Sequence, residues 1–178
     1  MKIIIGLGNS GKQYENTRHN MGFFGLDYLK VTLKDASFGA WIEDKKFQAF
    51  ISEGNLNGQK IILAKPTTFM NNSGLCAQAI LSYYKENAEN LIVLHDDIDI
   101  KIGEFKLQKD KSSAGHRGVQ SIIEKLKTQN FFRLRLGICP EKKKADTSDF
   151  VLKRFGLLEK MKLNKIFAQA IPELIKVL

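Results

Sequence analysis

The run Ile3-Ile4-Ile5-Gly6-Leu7 restricts the fold more than any other part of the chain. It is continuous and β-branched with no polar alternation, so Ile3 to Leu7 reads as a strand covered on both faces. Such a strand belongs inside an α/β sheet with helices above and below it. "LIVLHDD", from Leu91 to Asp97, reads as a second buried strand. Phe47 to Glu53 and Lys60 to Ala64 read as two more, with Asn57-Gly58 between them as a hairpin signal and Pro66 ending the second. Glu104 to Leu107 is a short strand candidate, and Phe132 to Ile138 alternates Phe-Arg-Leu-Arg-Leu as a strand does.

Between these runs the period changes. From Met21, with Asn20 as N-cap, Phe24, Tyr28 and Val31 share a helical face. Gly74 to Glu86 reads as a helix, as do Val119, Ile122, Ile123 and Leu126 and the basic tail from Thr147, which Pro172 should kink or restart. Gln108 to Gly115 reads as a polar loop, and Pro140 with Lys142 to Lys144 as another. Strands alternating with helices, with no internal repeat or linker, predict one α/β domain over residues 1–178. Its sheet should be twisted, mixed but mostly parallel, and flanked by helices.

Gly6-Leu7-Gly8-Asn9-Ser10-Gly11 matches the lettering of the G-x-G-x-x-G dinucleotide fingerprint. That site needs a helix to open at the third glycine, so that its N-terminus faces the pyrophosphate. Here Gly11 is followed by Lys12 to Asn20, which has no apolar period, and the acid expected about 20 residues on falls at Asp27, inside a helix. No nucleotide cofactor is expected.

Lys and Arg number 28 against 19 Asp and Glu, a formal charge of +9. An excess of this size points to a polyanionic partner such as nucleic acid, or to an anionic membrane surface. The apolar start is shorter than the ~7–15 residues of a signal-peptide core, and no stretch approaches the ~20 of a membrane span. The two cysteines, Cys76 and Cys139, lack C-x-x-C spacing, which fits a reducing compartment better than a disulfide framework or zinc site. The expectation is a cytoplasmic protein without a membrane anchor.

In open α/β sheets, chemistry gathers beyond the carboxyl ends of the strands. The first strand delivers Asn9 and, farther along its loop, His19; the strand ending at Ala64 delivers Asn71 and Asn72; "LIVLHDD" delivers Asp96 and Asp97, with His95 read as packing. A carboxylate that fixes the tautomer of an imidazole lets it take a proton from water, and a carboxamide N–H can hold a carbonyl or an oxyanion. There is no G-x-S-x-G. The three histidines, His19, His95 and His116, lack H-x-x-x-H spacing, so no metal is expected. Water activated by His19 and Asp96 is the simplest hydrolytic reading. Lys106, Lys109, Lys111, His116, Arg117, Arg133 and Arg135 concentrate charge in the second half. Arg133 and Arg135 share one strand face as a candidate phosphate clamp.

The blocks "GLGNSGKQYENTRHNMGF", "KPTTFMNNSG", "VLHDDIDI", "GHRGVQSII" and "NFFRLRLGI" occur in the order and spacing of the bacterial-type peptidyl-tRNA hydrolases, which the chain resembles over nearly its whole length. The resemblance implies a cofactor-free, metal-free monomer that cleaves the ester between a peptide and the terminal ribose of tRNA. By position, His19 resembles the general base, Asp96 its carboxylate partner, and Asn9 and Asn71 the carboxamides holding the peptide and scissile group. Tyr14, Phe69, His116 and Arg117 fall at substrate-binding positions. Lys106 and Arg135 resemble the clamp on the tRNA 5′ phosphate. The chain departs from the family pattern with Ser10 in place of Pro and Arg117 in place of Asn. "LQKDKSSAG" replaces the glycine-rich approach to "GHRG".

Overall fold

Ile3, Ile4 and Ile5 are fully buried, and they alternate between two cores. Ile4 joins Met21, Leu26 and a cluster that includes Ile166, Phe167 and Ala170. Ile3 and Ile5 join Ala77, Ile80, Val119 and Ile122 on the other face. That two-sided burial is why the run has no polar alternation. The computed structural model describes residues 1–140 and 147–178, and the predicted loop over Lys142 to Lys144 lies outside them.

In chain order the elements are β1 (Lys2–Gly6), α1 (Met21–Thr32), β2 (Ile42–Asp44), β3 (Ala49–Leu56), β4 (Gln59–Pro66) and α2 (Ser73–Tyr84). They continue with β5 (Leu91–Lys101), β6 (Phe105–Lys109), α3 (Arg117–Leu126), β7 (Phe132–Cys139), α4 (Thr147–Leu152) and α5 (Leu157–Ile175). Among the described residues they build a 7-stranded sheet in the order β2-β3-β4-β1-β5-β7-β6. The centre, β4-β1-β5-β7, is parallel. β3 adds to β4, β2 to β3 and β6 to β7 antiparallel. Helices α1 and α5 cover one face, and α2 and α3 the other. The predicted mixed, mostly parallel α/β architecture is what forms.

Several boundaries differ from the sequence expectation, and β5 runs past Asp97 to Lys101. The hairpin strands run up to a two-residue turn, with Asn57 at φ 53° and Gly58 at φ 83°; cross-strand pairing persists to Leu56↔Gln59 because this turn's twist matches that of the strands. β6 takes Gln108 and Lys109 out of the expected loop by pairing them with Arg133 and Phe132. The tail is two helices, and Pro172 lies within α5 rather than starting a new segment. Ile171 and Leu174 are fully buried on either side of it, so packing carries the helix past the missing N–H. The edge strand β2 was not anticipated; it is short, and Ile42 and Glu43 are exposed, so it carries no apolar period.

Candidate active site

The site begins with two glycines. A Cβ on Gly22 would collide with the backbone of Leu7 and the carbonyl of Leu94, and one on Gly6 with the carbonyl of Gly22. The first turn of α1 therefore lies in backbone contact with the residue that follows β1 and with Leu94 inside β5. The 3-10 turn Arg18–Asn20 leads directly into it, which places His19 beyond the carboxyl end of β1, beside the middle of β5. Along β5, Leu94 faces the core beneath α1, and period-two alternation sends Asp96 to that same face. His19 Nδ1 lies 2.9 Å from Asp96 Oδ1.

A second imidazole reaches the same oxygen, His116 Nε2 at 3.0 Å. His116 caps α3, and its Nδ1 accepts the Val119 N–H at 3.3 Å. Its proton is thereby fixed on Nε2, which donates to Asp96. Asp96 is 2% exposed. Burial alone would raise its affinity for a proton, but the two imidazoles and their hydrogen bonds hold it well below the usual carboxylate range. Burial alone would lower the pKa of His19. The charge and hydrogen bond of Asp96 outweigh that, with the Arg117 cation subtracting, so the His19 pKa is raised above 6.5. Its Nδ1–H is committed to Asp96, and the Nε2 lone pair is left for the cleft.

The cleft has a volume of about 730 Å³, and its walls include Asn9, Tyr14, His19, Phe69, Asn71, Asp96, His116 and Arg117. Asn9 is 7% exposed. Its Oδ1 accepts the Met70 N–H at 2.9 Å, which leaves its NH2 as the group available to a ligand. The Asn9 backbone is gripped by Asn20, whose Oδ1 accepts the Asn9 N–H at 2.8 Å and whose Nδ2 donates to the Asn9 carbonyl at 3.0 Å. Asn20 thus makes no side-chain cap for α1; its carboxamide is used to join the first loop to the helix start. Asn71 lies in the 3-10 turn Met70–Asn72, exposed, and neither it nor Asn72 caps α2 with its side chain. Phe69 is 62% exposed on the cleft wall.

The candidate phosphate clamp adjoins this cleft through Asp97, which also lines it. Lys106 and Arg135 are register partners on β6 and β7, so they share a face. Arg135 Nε donates to Asp97 Oδ2 at 2.6 Å and Nη1 to Gln108 Oε1 at 2.8 Å. Arg133 is not available beside it. It is 1% exposed, and its Nη1 donates to the Ser112 carbonyl at 2.8 Å beneath the loop after β6. His95 is buried as expected, with Nδ1 2.7 Å from the Asp96 carbonyl.

A match to the peptidyl-tRNA hydrolase family model extends over residues 3–178. This chain belongs to the peptidyl-tRNA hydrolase family. The peptidyl-tRNA hydrolase of Mycoplasma mycoides subsp. mycoides is 45% identical over 171 residues, covering 96% of this chain and 89% of that one. That of Aquifex aeolicus is 42% identical, covering 96% and 86%. The crystal structure of the Acinetobacter baumannii peptidyl-tRNA hydrolase is similar in fold, with a TM-score of 0.88 at 28% identity, covering 99% and 88%.

His19 Nδ1, Asp96 Oδ1 and His116 Nε2 lie within 4.8 Å of one another, a cluster of metal-ligand types. The hydrogen bonds fill these positions with protons instead. With Val119 donating to His116 Nδ1, the nitrogen facing Asp96 carries its hydrogen and has no lone pair for a cation. After Gly11 the chain makes the 3-10 turn Lys12–Tyr14, and α1 opens only at Met21. No helix N-terminus therefore stands where the fingerprint would hold a pyrophosphate. The grip of Asn20 on the Asn9 backbone and the linkage of Asp97 to Arg135 are not part of the sequence reading. The adjacent acids of "HDD" carried a usable signal, since neighbours on a strand face opposite ways.

Proposed function

We propose that this chain hydrolyses the ester of peptidyl-tRNA with water activated by His19. The observation that carries the reading is the 2.9 Å contact between His19 Nδ1 and the buried Asp96 carboxylate at the rim of an open cleft. With Nδ1–H held by Asp96, His19 Nε2 takes a proton from a water as its oxygen attacks the ester carbonyl. The carbonyl electrons move onto oxygen, where the NH2 groups of Asn9 and Asn71 donate to the growing negative charge. As the tetrahedral intermediate collapses, the bond to the ribose oxygen breaks. The imidazolium returns its proton to that oxygen and the new carboxylic acid loses its own proton to solvent, releasing tRNA and a peptide carboxylate. Asp96 stays ionised throughout and stabilises the imidazolium.

The tRNA part of the substrate fits the charge of +9 and the exposed Lys106 beside Arg135, which we assign to a tRNA phosphate. Tyr14, Phe69, His116 and Arg117 line the substrate's path. Every proposed group comes from one chain, which supports action as a monomer. Two free cysteines, and no helix among the described residues long and apolar enough to cross a membrane, support a cytoplasmic location. Incubation with an N-acylated aminoacyl-tRNA, following release of free tRNA, tests the reading. Release by the wild type and none by His19→Ala is the expected result. Release that survives His19→Ala would overturn the mechanism, and no release by either protein would leave only RNA binding.

A further inference from the structure

Arg18 immediately precedes His19, and its side chain enters a different part of the molecule. It is 8% exposed. Its Nη1 donates to the carbonyls of Lys153 and Arg154, both at 3.1 Å. Its Nη2 donates to the Glu159 carboxylate at 2.8 and 2.7 Å. The guanidinium carbon stands 4.2 Å from the Phe150 ring centroid and 5.4 Å from that of Phe155. The backbones reinforce the union. Arg18 N–H donates to Lys153 O at 3.1 Å, Phe155 N–H to Asn16 O at 3.0 Å, and Thr17 bridges Arg154. Glu159 also accepts the Gly156 N–H at 2.7 Å, so the carboxylate that grips Arg18 also starts α5.

The segment held in this way is the junction between α4 and α5. Just ahead of it, Val151 and Leu152 of α4 form part of the cleft wall. One guanidinium therefore lies between the imidazole that faces the scissile bond and an apolar wall of the same cleft. A planar fork with five donors can serve two carbonyls and a carboxylate while stacking on an aromatic ring, which an ammonium cannot do.

We infer that Arg18, fixed by Glu159, is a positioning residue that sets the spacing between His19 and the Val151–Leu152 wall, and with it the seat of the substrate's acyl chain. This rests on the hydrolase reading above and extends it to the peptide side of the substrate. A long apolar peptide touches that wall more than a short acyl group does, so disturbing the junction weakens binding of the long substrate selectively.

The test compares Arg18→Lys and Glu159→Gln with the wild type on N-acetylglycyl-tRNA and on a tRNA carrying a longer leucine-rich peptide. KM for the long substrate is expected to rise ~10-fold in Arg18→Lys and less in Glu159→Gln, with kcat and both constants for the short substrate changing less than ~3-fold. Equal losses on both substrates, or unchanged KM, would overturn the inference. If the wild type cleaves neither substrate, the hydrolase reading is what fails. The junction is then judged without substrate: amide exchange across Phe150 to Phe155 should quicken by at least ~10-fold in Arg18→Lys, and unchanged exchange there rejects the role.

Discussion

Asp96 and Asp97 are neighbours on β5, and they organise two unlike regions. Asp96 faces α1, is 2% exposed and receives two imidazoles. Asp97 sits on the opposite side of the strand and ties down Arg135 beside the exposed Lys106 at the β6–β7 edge. In the first region a buried charge is surrounded by fixed donors, which is where a proton can be moved with little reorganisation. In the second, the exposed Lys106 stands beside an Arg135 that is largely enclosed and paired with Asp97, and the attraction of such a surface weakens with salt. One strand thus presents two unlike charge environments through the two-residue alternation of its side chains, and on the proposed reading these divide bond-breaking from substrate capture.

If that division holds, damage to the first region should abolish turnover and damage to the second should not. His19→Ala is expected to lower kcat/KM by ~1000-fold, and Asp96→Asn by a comparable factor because the imidazole tautomer is no longer enforced, both measured by tRNA release. A residual rate above one-tenth of wild type in either would break the comparison. Asn9→Ala should cost ~100-fold, chiefly in kcat, through loss of a donor to the carbonyl oxygen.

Arg135→Ala is expected to weaken binding of whole tRNA by ~10-fold and to reduce the slope of log affinity against log salt by about one. It should leave cleavage of a fragment lacking the 5′ phosphate unchanged. Equal losses on both substrates would remove the phosphate assignment. The smallest effect concerns pH. His19 must be neutral to act, and its pKa is raised, so activity is lost as pH falls through a midpoint above 6.5. Arg117 is one of the influences that lower that pKa, so Arg117→Asn should move the acid limb of the kcat/KM profile to higher pH. A limb that stays in place would separate Arg117 from the imidazole.

Much of this arrangement was visible in the amino-acid order, and for physical reasons. Continuous apolar runs announced the parallel centre, because strands covered on both faces have no polar side to show. Asn57-Gly58 announced the hairpin because both positions need a positive φ. Placing His19 beside Asp96 relied on strand ends sharing a rim, a property of topology more than of either residue. The clamp read over Arg133 and Arg135 loses Arg133, and no phosphate contact of Arg135 is shown. Both arginines share a strand face, as alternation requires, but the loop after β6 covers Arg133, and nothing local encodes which part of a face a loop will cover. Asn20 takes the N-cap position of α1 as its place in the sequence suggests, but its side chain makes no cap bond, for a similar reason. A residue suited to capping a helix is equally suited to holding a distant backbone, and only the fold brings Asn9 within its reach.

The abutment of Gly22 on β1 and β5 makes the placement of His19 a matter of main-chain thickness. Repacking either hydrophobic layer alters side-chain volumes without altering how close two bare backbones can come. Extensive core redesign should therefore be tolerated. A single added methyl group, as in Gly22→Ala, would wedge the helix from the sheet and carry the imidazole away from its carboxylate.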